Sequence, residues 1–307
     1  MRYTRLAGLE VSVIGLGCNN FGRALDAAAS RVVADAALDA GVNFFDTSDN
    51  YGEGRSESFL GRALGSRRSE VLVATKFGMP VPDVEGSGGA RPEYVRGAIR
   101  RSLDQLGTTW IDLYQLHKPD PSTPIGDTLT AMWELVEEGL VREIGCSNLD
   151  AAQTAAALDF AREKGGRPFV SNQVQYSLIH RDPQTNGLTD LALREGMALL
   201  PFYPLANGML TGKVRRDVPI EGRLTMDRYQ SFLVDRNYDI AERIGEFASE
   251  RGLSMVQVAL GWLVAQPEVP SVTPGATRVE QVVSNVAAAD WTPTPDDLAA
   301  LDSITAA

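Results

Sequence analysis

The sequence is poor in cysteine, in long apolar runs and in positive charge, and each shortage removes a class of function. Its two cysteines, Cys18 and Cys146, stand far apart in 307 residues. They are too few and too isolated for a disulfide framework or a zinc site. No metal is expected, and a reducing compartment is. No apolar stretch reaches the roughly 18 residues that read as a membrane span. The opening MRYTRLAGLEVSV has no signal-peptide core. A cytoplasmic protein without a membrane partner is therefore expected. Lysine and arginine number 29 against 40 aspartates and glutamates, a net charge of -11. Such a surface repels nucleic acid and anionic lipid, which leaves a small molecule as the expected partner. Oligomeric state is left open by this pattern.

What the chain does have is a rhythm: a short β-branched run, a polar or glycine-rich turn, then an amphipathic stretch. Spacing near 3.6 predicts helices at 28–40, 57–64 and 92–106, after strands at 13–16, 42–45 and 71–75. Pro92 suits a first helical turn. Strands at 111–116, 141–146, 169–174 and 198–202 precede predicted helices at 125–138, 151–163, 187–195 and 240–251. A last unit pairs 271–272 with 279–288, and a short helix is expected at 296–302. Several strands are continuously apolar, as in a parallel sheet buried on both faces.

Eight such units in about 250 residues is the arithmetic of one α/β (β/α)8 TIM barrel, here expected as a single domain over 1–307. An open doubly wound sheet is the alternative. TRLAGLEVS reads as an N-terminal β-hairpin placed to plug the barrel floor. Two long loops, 78–91 and 203–237, break the rhythm. Loops of that length are functional or disordered, and both follow strands, on the C-terminal face where barrel sites are built. They are candidate lids.

The strand ends carry the chemistry. Asp46, Lys76 and His117 close the second, third and fourth strands, and Tyr51 follows Asp46 by five residues. Each alone has an ordinary use as turn former, solvated cation or packed ring. On successive strands they converge on one mouth. Tyrosine ionises near pH 10, too high for easy proton exchange at neutrality. A lysine cation beside it lowers that value, and an aspartate fixes the lysine. A neutral histidine can hold a carbonyl oxygen toward the phenol. The set makes a general acid for an oxygen that becomes an alkoxide.

The motifs GLGCNNFG, GVNFFDTSDNYG, VLVATKFG, IDLYQLHKPD, IGCSN, NQVQYSL, PLANGMLTGK and PGATRVEQVVSN run in order from residue 15 to 285. With them the chain resembles the aldo-keto reductases. The resemblance implies a (β/α)8 barrel, NADPH or NADH, and Asp46, Tyr51, Lys76 and His117 as a catalytic tetrad. It implies carbonyl reduction by an NADP-type alcohol dehydrogenase chemistry on a small carbonyl substrate. Ser147, Asn148 and Gln173 then suit the nicotinamide carboxamide, which needs donor and acceptor. Phe202 falls where an aromatic, often tyrosine, underlies the ring, and Tyr203 where serine is common. Leu205, Gly208 and Lys213 fall near the pyrophosphate.

Arg278 is a candidate for a 2′-phosphate, so NADPH is expected over NADH. Against it, Gly275 and Gln281 replace a lysine and an arginine found in some branches. Ser284 replaces a frequent glutamate, and Asn285 is kept. Gly15-Leu16-Gly17 begins a dinucleotide fingerprint that Asn20 breaks, so those glycines read as a tight loop at the mouth. Asn20, Phe21, Phe77, Met79 and Asn207 are the expected substrate-lining residues. The chain ends soon after the 296–302 helix, so an open mouth and broad specificity are expected. Two other functions fit the same residues: a cofactor-sensing auxiliary subunit with little turnover, and an aldolase using Lys76 as a Schiff-base nucleophile.

Overall fold

A computed structural model describes residues 1–306. The chain opens with an antiparallel hairpin, β1 (Tyr3–Leu6) and β2 (Leu9–Ser12). There follow β3 (Leu16–Gly17), α1 (Ala27–Asp39), β4 (Phe44–Asp46), α2 (Ser56–Leu64), β5 (Leu72–Phe77) and α3 (Pro92–Leu106). Next come β6 (Ile111–Leu116), α4 (Ile125–Glu137), β7 (Val141–Ser147), α5 (Ala151–Lys164) and β8 (Ser171–Gln175). The last third holds α6 (Asp182–Thr185), α7 (Leu188–Glu195), β9 (Ala198–Phe202), α8 (Asp235–Glu250), α9 (Met255–Val264), α10 (Val279–Val286) and α11 (Pro295–Thr305).

Strands β3 to β9 form one parallel sheet in sequence order. Residues 268–275 close it into a ring. On one side the Gly15 N–H donates to Val272 O (2.8 Å) and the Gly17 N–H to Pro274 O (3.1 Å). On the other the Leu199 N–H donates to Glu268 O (2.7 Å). An open sheet has free edges, so this closure decides for the (β/α)8 barrel. The seam explains its glycines. A Cβ on Gly15 would stand 2.7 Å from Phe44 O, and one on Gly17 2.7 Å from Thr273 O.

The hairpin does plug the floor. Leu6, Leu9 and Val11 pack against Phe44, Ala74, Leu113 and Leu200, which point inward from four strands. Each such large apolar side chain contributes about 1.5–3 kcal/mol on burial. A larger apolar layer lies between the strands and the outer helices. With the floor filled by the hairpin's side chains, the open end of the barrel is the opposite mouth.

Among the differences from expectation, two bear on the barrel. The first strand pairs at Leu16–Gly17 rather than across 13–16. Helix α9 has no counterpart among the predicted helices. Its sequence MVQVALGWLV is apolar on nearly every side, so no 3.6-residue stripe stands out. Its signal was local: Ser254 and Gln257 form a capping box just before the apolar run. The 203–237 loop is not shapeless either. It winds through short 3-10 turns, and Leu224 and Tyr229 are buried against the body.

Candidate active site

At the mouth the strand ends bring three charged or polar groups together. Asp46 ends β4, Lys76 is the penultimate residue of β5, and His117 follows β6. The Lys76 side chain is fully buried, and its Nζ donates to both Asp46 carboxylate oxygens and to Thr47 O, each at 2.8 Å. Burial pulls the ammonium down, but Asp46 and Tyr51 outweigh it and the net direction is up. Lysine therefore stays charged. A Schiff-base nucleophile needs the reverse, which removes the aldolase reading.

Lys76 Nζ lies 5.0 Å from the centre of the Tyr51 ring. Burial pushes the phenol up, Lys76 pulls it down, Asp46 pushes it up again, and it rests above its ordinary value. The expected lowering by Lys76 is present but outweighed. The phenol accordingly keeps its proton at neutral pH, the state a proton donor needs. His117 meets Tyr51 edge-on, with ring centres 5.8 Å apart and planes at 77°. Burial, then Lys76 and Lys118, push its imidazole down to about 3. It is neutral across the physiological range.

Beside the tetrad lies a polar ledge. Asn148 has a left-handed backbone (φ 62°), which turns its side chain across the strand ends. Its Nδ2 donates to His117 O at 3.0 Å and to Ser147 Oγ at 2.9 Å, leaving Oδ1 as acceptor. Ser147 Oγ in turn donates to Gln173 O at 2.8 Å. Gln173 Nε2 is buried with no partner. An orphaned buried donor is costly, and here it stands one strand from a free acceptor. Phe202 ends β9, its ring edge-on to Tyr203 at 5.0 Å. Gly275 is so close to Asn19 and Asn20 that a Cβ would touch both amides at 3.3 Å.

The sequence matches the Aldo/keto reductase family over residues 13–306. The chain belongs to that family. It is similar to a probable voltage-gated potassium channel subunit beta of Oryza sativa subsp. japonica, 33% identical over 99% of this chain and 96% of the relative. It is also similar to an L-glyceraldehyde 3-phosphate reductase of Escherichia coli (strain K12), 32% identical over 94% and 86%. A probable aldo-keto reductase 1 of Glycine max is 34% identical over 92% and 82%. Membership makes the protein an oxidoreductase fold for small carbonyl compounds, with a nicotinamide cofactor. Among the described residues no helix is long and apolar enough to cross a membrane.

Other expected residues of this aldo/keto reductase fall in several places. Leu205 and Gly208 flank a tight turn in which Asn207 (φ 55°) has both amide atoms buried without partners. Lys213 and Arg278 are exposed at the rim. Gln281 Oε1 accepts from the Thr277 N–H (2.7 Å) and hydroxyl (3.0 Å), pinning the loop before α10, and Asn285 is buried behind it. Tyr203, which stands where serine is common, has its hydroxyl 3.5 Å from that of Tyr229 in the 203–237 loop. Met79 is half-buried at the start of the 78–91 loop. Asn20 is at the mouth, its Nδ2 donating to Ala276 O at 3.3 Å.

Two substrate-lining expectations are wrong. Phe21 and Phe77 are both fully buried in the outer apolar layer. Neighbouring residues of a strand face opposite ways. Lys76 points into the barrel, so Phe77 points out, stacked on Tyr114 at 4.8 Å. Phe21 turns away from the mouth into the layer that includes Leu25 and Leu60.

Sequence reasoning also passed over Arg223. From the 203–237 loop its guanidinium donates to Asn20 Oδ1 (3.1 Å) and Asn19 Oδ1 (3.3 Å), tying that loop to the barrel. Burial lowers its pKa. A lone arginine in a long polar loop gives no signal of this. Glu57 did leave one, because it shares the buried face of α2 with Leu60 and Leu64, at i+3 and i+7.

Glu57 is buried, takes a 2.6 Å hydrogen bond from the Thr75 hydroxyl, and is pushed up to about 7 by burial. Asp49 is pushed up to about 7 by burial and then by Glu57. Both folded values lie above the unfolded carboxylate range, so the folded state binds more protons. Their contribution to stability is full below about pH 4 and is lost as pH rises through 7. Glu57→Gln keeps the acceptor for Thr75 and removes one titration. The variant is expected to melt higher than the parent at pH 8 and alike at pH 4. Calorimetry at the two pH values checks it, and an equal gain at both would contradict the assignment.

Proposed function

We propose that the protein is an NADPH-dependent carbonyl reductase of the alcohol dehydrogenase (NADP+) type, formed by one barrel domain over 1–307 and working in the cytoplasm. The observation that carries this reading is the stack at the mouth. A protonated Tyr51 stands over a Lys76 held charged by Asp46, with a neutral His117 at its edge. Asn148 Oδ1 and Gln173 Nε2 offer the acceptor and donor that a carboxamide requires.

Asn148, Gln173, Ser147 and Phe202 would hold the nicotinamide end, and Leu205, Gly208 and Lys213 the phosphates. Gly275, Arg278, Gln281 and Asn285 would take the adenosine end, with Arg278 favouring a 2′-phosphate. When bound there, a nicotinamide would supply the hydride for the carbonyl carbon. Tyr51 supplies the proton to the oxygen as it becomes an alkoxide, and its proton is afterwards replaced from solvent. Lys76 stabilises the phenolate left behind, and Asp46 keeps Lys76 in place. His117 fixes the oxygen in front of the phenol. Asn20, Met79 and Asn207 would border the substrate.

Calorimetric titration with NADPH and NADH, followed by cofactor consumption over a panel of aromatic and dicarbonyl aldehydes, tests the reading. NADPH is expected to bind more tightly and to be oxidised in step with alcohol formed. Tight binding without turnover on any carbonyl would replace this reading with a cofactor-sensing subunit. That second role is supported by the similarity to the rice protein.

A further inference from the structure

One buried hydroxyl at the mouth has no part in the proton chemistry described so far. Ser48 follows Asp46 and Thr47 at the end of β4 and is fully buried. Its Oγ lies 3.1 Å from His117 Nδ1, 2.9 Å from Asn50 Oδ1 and 3.4 Å from Asp49 Oδ1. A serine hydroxyl has one proton to give. Where it goes decides what His117 can do.

We infer that Ser48 donates to His117 Nδ1 and so holds the imidazole as its Nε2–H tautomer, a positioning role that rests on the carbonyl-reductase reading for its catalytic consequence. A neutral imidazole carries one N–H, so the nitrogen that accepts forces the proton onto the other. Among the described residues no group hydrogen-bonds His117 Nε2, which leaves its N–H free for a carbonyl oxygen. The reverse arrangement, Nδ1–H donating to Ser48, would set a bare Nε2 lone pair against that oxygen. Two acceptors facing each other repel.

Two other acceptors, Asn50 Oδ1 and Asp49 Oδ1, compete for the Ser48 proton. As placed, Asn50 Oδ1 accepts from Ser48 Oγ at 2.9 Å, and a half-turn of the amide exchanges its oxygen and nitrogen without changing its outline. Its NH2 group then donates to Ser48 Oγ, giving an unbroken line from Asn50 through Ser48 to His117. Asp49 Oδ1, at 3.4 Å, is beyond the usual O–H···O range. Ser48 is thus the tautomer lock of the site, though it touches no reacting atom.

The chain has only two histidines, His117 and His180, so 15N-histidine labelling of the whole protein gives two resolvable rings. A His180→Gln variant assigns them. Long-range 1H–15N correlation at neutral pH is expected to show His117 protonated at Nε2, with the unprotonated signature at Nδ1. In Ser48→Ala that pattern is expected to shift toward Nδ1 protonation, and Ser48→Thr to restore it. If the competent tautomer falls to about a tenth of molecules, kcat falls roughly tenfold, with cofactor affinity unchanged. A wild-type His117 protonated at Nδ1, or an Ser48→Ala spectrum identical to wild type, overturns the inference. The spectra need no turnover, so a protein that fails as a reductase but shows the Nε2–H form rejects the function and keeps the lock.

Discussion

Replacing Tyr51 by phenylalanine is expected to slow carbonyl reduction by roughly a hundredfold to ten-thousandfold, the usual share of general acid catalysis, while cofactor affinity holds. Phenylalanine keeps the ring and loses only the hydroxyl. The ring still lies 5.0 Å from Lys76 Nζ and edge-on to His117, so packing at the mouth is preserved. What goes is the one proton there acidic enough to be given up to a carbonyl oxygen. Lys76 is locked against Asp46 and Thr47 at 2.8 Å and has no free path to substrate. His117 is neutral, and its N–H is far too weak an acid to substitute. Single-turnover rates beside equilibrium cofactor binding separate the two effects. Full activity in Tyr51→Phe would dismiss the phenol as donor, and a parallel loss of cofactor affinity would point to a packing role.

Lys76→Met should damage the fold as well as the chemistry. Asp46 would keep only a 3.5 Å contact from Gln115 Nε2 in a buried site. Breaking one side of a buried ion pair costs about 3–5 kcal/mol, because the remaining charge has no partner. The same change removes the cation that holds the Tyr51 phenolate down, so any folded enzyme should also be slow. The double variant Asp46→Asn with Lys76→Met leaves neither charge of the pair behind and is expected to regain most of the stability and none of the activity. Urea denaturation of the three proteins measures this. A single variant as stable as the parent would show that the pair is not a structural tie.

The contrast between these residues and their neighbours explains what could be read from sequence. Asp46, Lys76 and His117 were visible because each interrupts an apolar strand at its end, and parallel strands of one barrel bring their ends together. Phe77 was misplaced for a one-residue reason. Parity along a strand fixes its outward direction, and that parity follows from Lys76 facing inward. Arg223 was invisible because its partners Asn19 and Asn20 lie some two hundred residues earlier, and the meeting depends on the path of the 203–237 loop, set by burial of Leu224 and Tyr229. Helix α9 was missed because a helix buried all round has no polar face to give it a period. The buried state of Asp49 and Glu57 depends on packing between α2, α3 and the strands, which the motif alone does not carry.

The glycine seam has a consequence for how the protein comes into being. Residues 13–17 meet 271–275 across the ring, so the join links the first barrel strand made on the ribosome to the last. Closing so long a loop is entropically late in assembly. Until the final units emerge, the growing chain carries a partial sheet whose first edge waits unpaired, a surface that neighbouring chains could add to. The active site is thus a property of the finished circle. Any truncation that removes the last strand should yield a sticky sheet rather than a weaker enzyme.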